Sequence, residues 1–174
     1  MPLNKRIEII EADITTLGVD AIVNAANNSL TGGGGVDGAI HKAAGPALRE
    51  YCSSLGGCKT GHAKITPGFN LPARSVIHAV GPVWNNGVNN EESLLAMCYE
   101  NSLQIAVENK VRTIAFPCIS TGAYRFPFDK ACRIALETIE AFLNRHDEIE
   151  KVFLVVWGEK DLKNYQRVFK KVDS

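Results

Sequence analysis

A three-layer α/β/α sandwich around a central mixed, largely parallel sheet is the fold class that three observations predict. Apolar periodicity along the chain switches back and forth between strand and helix types, as alternating βα units require. The stretch KVFLVVW (Lys151–Trp157) is apolar without alternation, as expected of a strand covered on both faces. A length of 174 residues suits one ordinary domain with a full hydrophobic core, so a single domain over 1–174 is expected.

Taken in order, Lys5–Ile10 and Asp20–Asn24 read as strands, and a glycine-rich stretch follows the second. Val36–Ala44 and Ala47–Ser53 read as short helices separated by Gly45-Pro46, a helix stop followed by a proline start. His62–Thr66 and Ser75–Val80 are β-branched runs bounded by Gly and Pro, hence strands. Gly81–Asn90 is expected to be a surface excursion before a helix over Glu92–Asn109 and a strand over Arg112–Phe116. Ala131, Ile134, Ala135, Thr138, Ile139 and Phe142 then share one helix face, with Asp129 as the expected N-cap. After Lys151–Trp157, Asp161–Val172 closes the chain as a helix.

Lys plus Arg and Asp plus Glu both number 19, a balance that argues against a protein that wraps a polyanion. The N-terminus carries no secretory or transit pattern, and no apolar run approaches the ~18 residues of a membrane span. Five cysteines without a C-x-x-C pair read as reduced thiols that fill the core. A cytoplasmic protein with no membrane association is expected.

The most informative segment is NAANNSLTGGGGVDGAIHKAAG, Asn24–Gly45. It formally contains G-x-G-x-x-G, but about eight residues separate it from its strand and no acidic residue ends a following strand about twenty positions on. No Gly-Lys-Ser/Thr occurs anywhere, which excludes a P-loop. The glycines do precede a helix start directly, where free N–H groups and the helix dipole favour an anion without any lysine. A second loop, Phe116–Tyr124, offers Ser120, Thr121 and Gly122 to another phosphate, and two such loops suit a diphosphate.

Four motifs carry a resemblance: Asp13-Ile-Thr, VDAIVNAAN (Val19–Asn27), GGGGVDGAIH (Gly32–His41) and ISTG (Ile119–Gly122). In this order, over essentially the whole chain, they resemble the macrodomain family of ADP-ribose-binding modules. With TGHAKIT (Thr60–Thr66) downstream, the glycine segment is similar to the MacroD-type branch. Three positions depart from the family's usual pattern: Ala12 precedes Asp13 in place of glycine, and Arg125 and Phe126 stand in Tyr124-Arg-Phe-Pro127 where the family has Tyr-Gly-Tyr-Pro.

The resemblance implies a hydrolase of ADP-ribose esters, acting on O-acetyl-ADP-ribose and on mono-ADP-ribose attached to acidic side chains of proteins. It assigns Asp13, with the Ile14 backbone, to the adenine amino group and Trp157 to stacking on the base. Gly33, Gly34, Gly35, Val36, Ser120, Thr121, Gly122, Ala123 and Tyr124 would line the diphosphate and distal ribose. Asn27, Asp37 and His41 would be catalytic: an amide on the ribose or the water, a general base, and the base's orienting partner four residues on.

Each residue also has an ordinary reading. Asp13 caps a turn, Asn24 and Asn27 make turns, Asp37 complements the helix dipole, and a tryptophan ending an apolar strand packs in the core. The water attacks at the anomeric or the acyl carbon, and Asp37 acts on it directly or through a ribose hydroxyl or a phosphate. A bound diphosphate would strengthen Asp37 as a base. No cofactor and no catalytic zinc are expected, because the four histidines form no ligand-like cluster. A non-catalytic ADP-ribose reader is the alternative. An RNA-binding or ribonuclease-regulating protein is compatible with the family but not supported by the neutral charge.

Overall fold

The computed structural model describes residues 3–174. Six strands form one sheet: β1 (Ile7–Glu11), β2 (Ala21–Ala25), β3 (Ala63–Pro67), β4 (Ser75–Ala79), β5 (Thr113–Phe116) and β6 (Lys151–Val156). Their spatial order is β1-β6-β5-β2-β4-β3, and every pairing is parallel except β3 with β4. The mixed, largely parallel sheet is therefore present, with one antiparallel edge strand.

Five helices cover it: α1 (Gly35–Ala44), α2 (Pro46–Ser53), α3 (Glu91–Glu108), α4 (Phe128–Arg145) and α5 (Glu159–Asp173). Alternate residues of a strand point to opposite faces, so the sheet feeds two cores. Ile22, Val76, Ala115 and Val155 pack with Ile40, Leu48 and Cys52 of α1 and α2. Val23, Ile77, Ile114, Phe116 and Leu154 pack on the other face with Tyr99 and Leu103 of α3, Ile139 and Phe142 of α4, and Tyr165 of α5. Among the described residues, no helix is long and apolar enough to cross a membrane.

Three expectations need correcting. Asp129 does not cap α4: the cap is Pro127, whose φ of −56° presets the turn and whose carbonyl accepts from Ala131 N at 2.9 Å. Asp129 lies instead in the first turn and forms a forked pair with Arg167 of α5 at 2.9 and 3.1 Å. The last strand stops at Val156, so Trp157 lies just beyond it, and α5 begins two residues earlier than Asp161.

The segment 81–90 is the expected surface excursion, exposed at Val83 and over 85–90, but it is tied down at both ends. Trp84 N donates to Tyr124 O at 2.8 Å, and the Trp84 ring packs on Phe126 with centroids 4.7 Å apart. The buried Glu91 carboxylate accepts from the backbone N–H groups of Asn85, Gly87 and Asn89 at 2.7, 2.9 and 2.5 Å. Of the five free cysteines, four are buried and Cys118 is half-buried.

Candidate functional site

The carboxyl ends of β1, β2, β5 and β6 meet along one edge of the sheet and enclose a cleft of about 790 Å³. The loop after β2 leads to α1 on one face of the sheet, whereas the loop after β5 leads to α4 on the other. Adjacent strands whose connections diverge in this way leave a crevice between them, which is where open α/β sheets place ligands.

The glycine loop forms one wall, with Gly33, Gly34, Gly35, Val36 and Asp37 lining the cleft. Gly34 is the N-cap of α1 and offers no side chain, so the first N–H groups of the helix have no capping partner from it. A second glycine makes the fold of this loop possible: a Cβ on Gly38 would lie 2.5 Å from the carbonyl oxygen of Gly33. The opposite wall is Cys118–Tyr124. Ser120 sits there at φ 68° with its Oγ buried and unpartnered. The Thr121 hydroxyl donates to Cys118 O at 3.1 Å, so it reaches a ligand only as an acceptor. Arg125 holds φ 61°, a left-handed conformation natural to the glycine expected at this place.

Asp13 and Ile14 line one end of the cleft. Asp13 Oδ1 caps the 3-10 turn Ile14–Thr16, accepting from Thr15 N at 3.0 Å and from Thr15 Oγ1 at 2.7 Å. That turn-capping role leaves Oδ2 without a partner among the described residues. Trp157 borders the same cleft at 76% exposure, which rules out a core role. Asp161, from the first turn of α5, also lines the cleft, a place its sequence reading as an ordinary helix residue did not indicate.

At the other end, Asp37 is 5% exposed. Its Oδ1 accepts from Asn24 Nδ2 at 2.8 Å, and His41 Nε2 stands 3.4 Å away. Oδ2 faces Gly33 and takes no hydrogen bond from the described residues. The expected pairing of Asp37 with His41 along one helix face is thus present. His41 lines a separate groove behind the glycine loop, not the main cleft. Burial, opposed by the Asp37 charge and aided by Arg49, holds its imidazole below the usual pKa and favours the neutral ring.

The two asparagines sit differently. Asn24 is not a turn residue: it is the fourth residue of β2, fully buried, and its amide points at Asp37. Asn27 makes the turn, donating to Gly32 O at 3.0 Å and accepting from Ser29 Oγ at 3.1 Å, and it also lines the cleft. Behind Asn24 stands His78 of β4, its Nδ1 3.1 Å from Asn24 Nδ2. Nothing in the run SVIHAV distinguishes that histidine from core filler. Burial, with His41 nearby, pushes the His78 pKa down to about 3. Burial also pushes the Cys118 thiol up to about 12, which suits an inert side chain beside the cleft.

Comparisons with known proteins identify relatives of this chain. The chain is 52% identical over 170 residues to the O-acetyl-ADP-ribose deacetylase of Escherichia fergusonii, covering 95% of this chain and 96% of that one. It is 52% identical to human ADP-ribose glycohydrolase MACROD2 over 95% of this chain and 39% of that longer protein. A solved Oceanobacillus iheyensis macrodomain with ADP superposes with a TM-score of 0.92 at 46% identity, covering 95% of this chain and 90% of that one. The family profile described as Macro domain matches residues 23–135, and the chain belongs to the Macro domain family.

Proposed function

We propose that this protein binds ADP-ribose in the cleft and hydrolyses ADP-ribose esters, both O-acetyl-ADP-ribose and mono-ADP-ribosylated acidic side chains of proteins. One observation carries the reading. A nearly buried carboxylate, with one oxygen tied down and the other open, stands at the end of a cleft whose two walls are both suited to phosphate. Relatives half identical to this chain are named O-acetyl-ADP-ribose deacetylase and ADP-ribose glycohydrolase, and one solved relative holds ADP.

In this arrangement the adenine lies at the Asp13 and Trp157 end, its amino group on Asp13 Oδ2 and its ring against the indole. The diphosphate lies between the N-terminus of α1 and the Ser120–Tyr124 loop, on backbone N–H groups and the Ser120 hydroxyl. The distal ribose then reaches Asn27 and Asp37. Asp37 Oδ2 takes a proton from water as its oxygen bonds to the ester carbonyl carbon. The carbon–oxygen bond to the ribose breaks, and that proton passes to the departing ribose oxygen. The products are ADP-ribose and a free carboxylic acid. Asn27 orients the ribose hydroxyls and the water, and His41 holds Asp37 from behind.

The test is to incubate the protein with O-acetyl-ADP-ribose and, separately, with a mono-ADP-ribosylated acceptor, and to measure free ADP-ribose. Asp37→Ala should lower turnover by about a hundredfold or more, since a positioned general base supplies ~10²–10⁴. Wild-type protein that binds ADP-ribose yet leaves both substrates intact would make this a reader and not a hydrolase. Unchanged turnover by Asp37→Ala would remove only the role given to the carboxylate.

A further inference from the structure

Behind Asp37 runs a buried chain of polar side chains that no step of the reaction touches. Asn24 and His78 are direct partners in the β2–β4 register, and Thr66 lies diagonally across on β3. Asn24, His78 and Thr66 are all buried, so their polar groups must find partners within the protein. Asn24 Nδ2 reaches both Asp37 Oδ1 at 2.8 Å and His78 Nδ1 at 3.1 Å. His78 Nε2 reaches Thr66 Oγ1 at 2.9 Å, with Cys52 Sγ further off at 3.8 Å. The Thr66 hydroxyl donates to Pro67 O at 3.1 Å.

The direction of this chain is fixed from its far end. The Pro67 carbonyl can only accept, so the Thr66 hydroxyl spends its proton there and accepts from His78. His78 carries its proton on Nε2 and exposes a lone pair at Nδ1, because a ring buried this deeply stays neutral and bears one proton. That lone pair takes one amide hydrogen of Asn24, and the other points at Asp37. The amide oxygen of Asn24 is left buried with no partner, and the opposite orientation would instead face that oxygen to the Asp37 carboxylate. One backbone carbonyl thereby sets, three side chains later, which oxygen of Asp37 is occupied and which is free.

We infer that His78, with Thr66, is a positioning residue for hydrolysis: its fixed tautomer locks the Asn24 amide, which holds Asp37 with Oδ1 engaged and Oδ2 aimed into the cleft. This rests on the hydrolase reading above. It separates the cleft's grip on ADP-ribose, which His78 does not line, from turnover, which His78 controls.

The test compares His78→Leu, His78→Asn and Thr66→Val in the full chain, measuring kcat and KM with O-acetyl-ADP-ribose and Kd for ADP-ribose by calorimetry. His78→Leu should lower kcat about tenfold, as a catalytic group displaced by a fraction of an ångström does, with KM and Kd within about twofold of wild type. His78→Asn places an acceptor oxygen where Nδ1 stood and should bring kcat back to within about threefold. Wild-type kcat in His78→Leu overturns the inference. So does parallel loss of kcat and affinity, or an Asn variant no better than Leu. Should His78→Leu not fold, Thr66→Val decides: kcat lowered by about threefold or more at unchanged Kd supports the chain, and unchanged kcat refutes it. A wild type that releases no ADP-ribose brings down the hydrolase reading and this inference together, whereas an active wild type beside an equally active His78→Leu refutes this inference alone.

Discussion

Replacing Gly81 by alanine adds one methyl group at the floor of the cleft, where β4 ends beneath the loop after β5. An added Cβ would stand 2.1 Å from Ser120 Oγ and 2.6 Å from Ile119 Cγ2. Carbon contacts relax near 3.5–4.0 Å, so these two neighbours must retreat by roughly 1 Å. Neither has room. Ile119 is buried in the larger core, and Ser120 is held at a left-handed φ with its carbonyl accepting from Phe126 N at 2.9 Å. Overpacking of this kind costs about 1–3 kcal/mol, which for a chain of this size lowers Tm by several degrees, roughly 2–10 °C. The displaced loop is also the second phosphate wall, so ADP-ribose affinity should fall about tenfold, near 1.4 kcal/mol. Calorimetric titration of Gly81→Ala with ADP-ribose, beside its melting curve, measures both. An unchanged Kd in a destabilised variant would mean that the Ser120 loop does not hold the diphosphate, and the reading of the cleft would have to be redrawn.

Trp157→Ala should weaken ADP-ribose binding by about 1–3 kcal/mol, the worth of one base–aromatic stack, and leave Tm nearly unchanged because the side chain is exposed. Equal affinity in titration calorimetry would place the adenine elsewhere. His78 makes stability depend on pH. In the unfolded chain it binds a proton below about 6.5, but in the fold only near 3, so stability falls as pH drops through that window. At pH 4 this amounts to roughly 3 kcal/mol, and denaturant melts of His78→Asn should lose that part of the slope. Glu91 acts in the same sense at lower pH: burial pushes its carboxyl up, but the N–H groups of Asn85, Asn89 and Gly87, with its own, outweigh this and hold it below the usual value. Its contribution is present above about pH 4.3 and vanishes as pH falls through the lower folded value. Hydrogen exchange should show the 85–90 segment loosening in acid, and Glu91→Gln should show the same loosening at pH 7.

Every strand and helix was legible in the sequence because each has a local signal: β-branched runs, helical spacing, Gly-Pro breaks. The boundaries that slipped did so for a local reason as well. Pro127 and Phe128 start α4 by geometry, without the side-chain cap that Asp129 advertised. The cleft's lining was legible where a motif carried it, from Asp13 through the glycine run to Tyr124. What stayed hidden depends on pairing between strands far apart in the chain. Asn24 meets His78 across 54 positions, and neither residue carries a mark of that contact. Asp161 reads as an ordinary first-turn acid, and only the return of α5 over the strand ends brings it to the cleft.

The sheet divides the labour of the site between its two sides. Asp37, His41, Asn24, His78 and Thr66 are mounted with α1 and on the strands that face it, while the Ser120 loop and Trp157 lead into helices on the far side. Changes that silence the chemistry can therefore accumulate behind Asp37 while the residues that line the cleft keep their hold on the nucleotide. An eraser built on this plan lies a few substitutions from a sensor, and the passage would leave the outline of the cleft untouched.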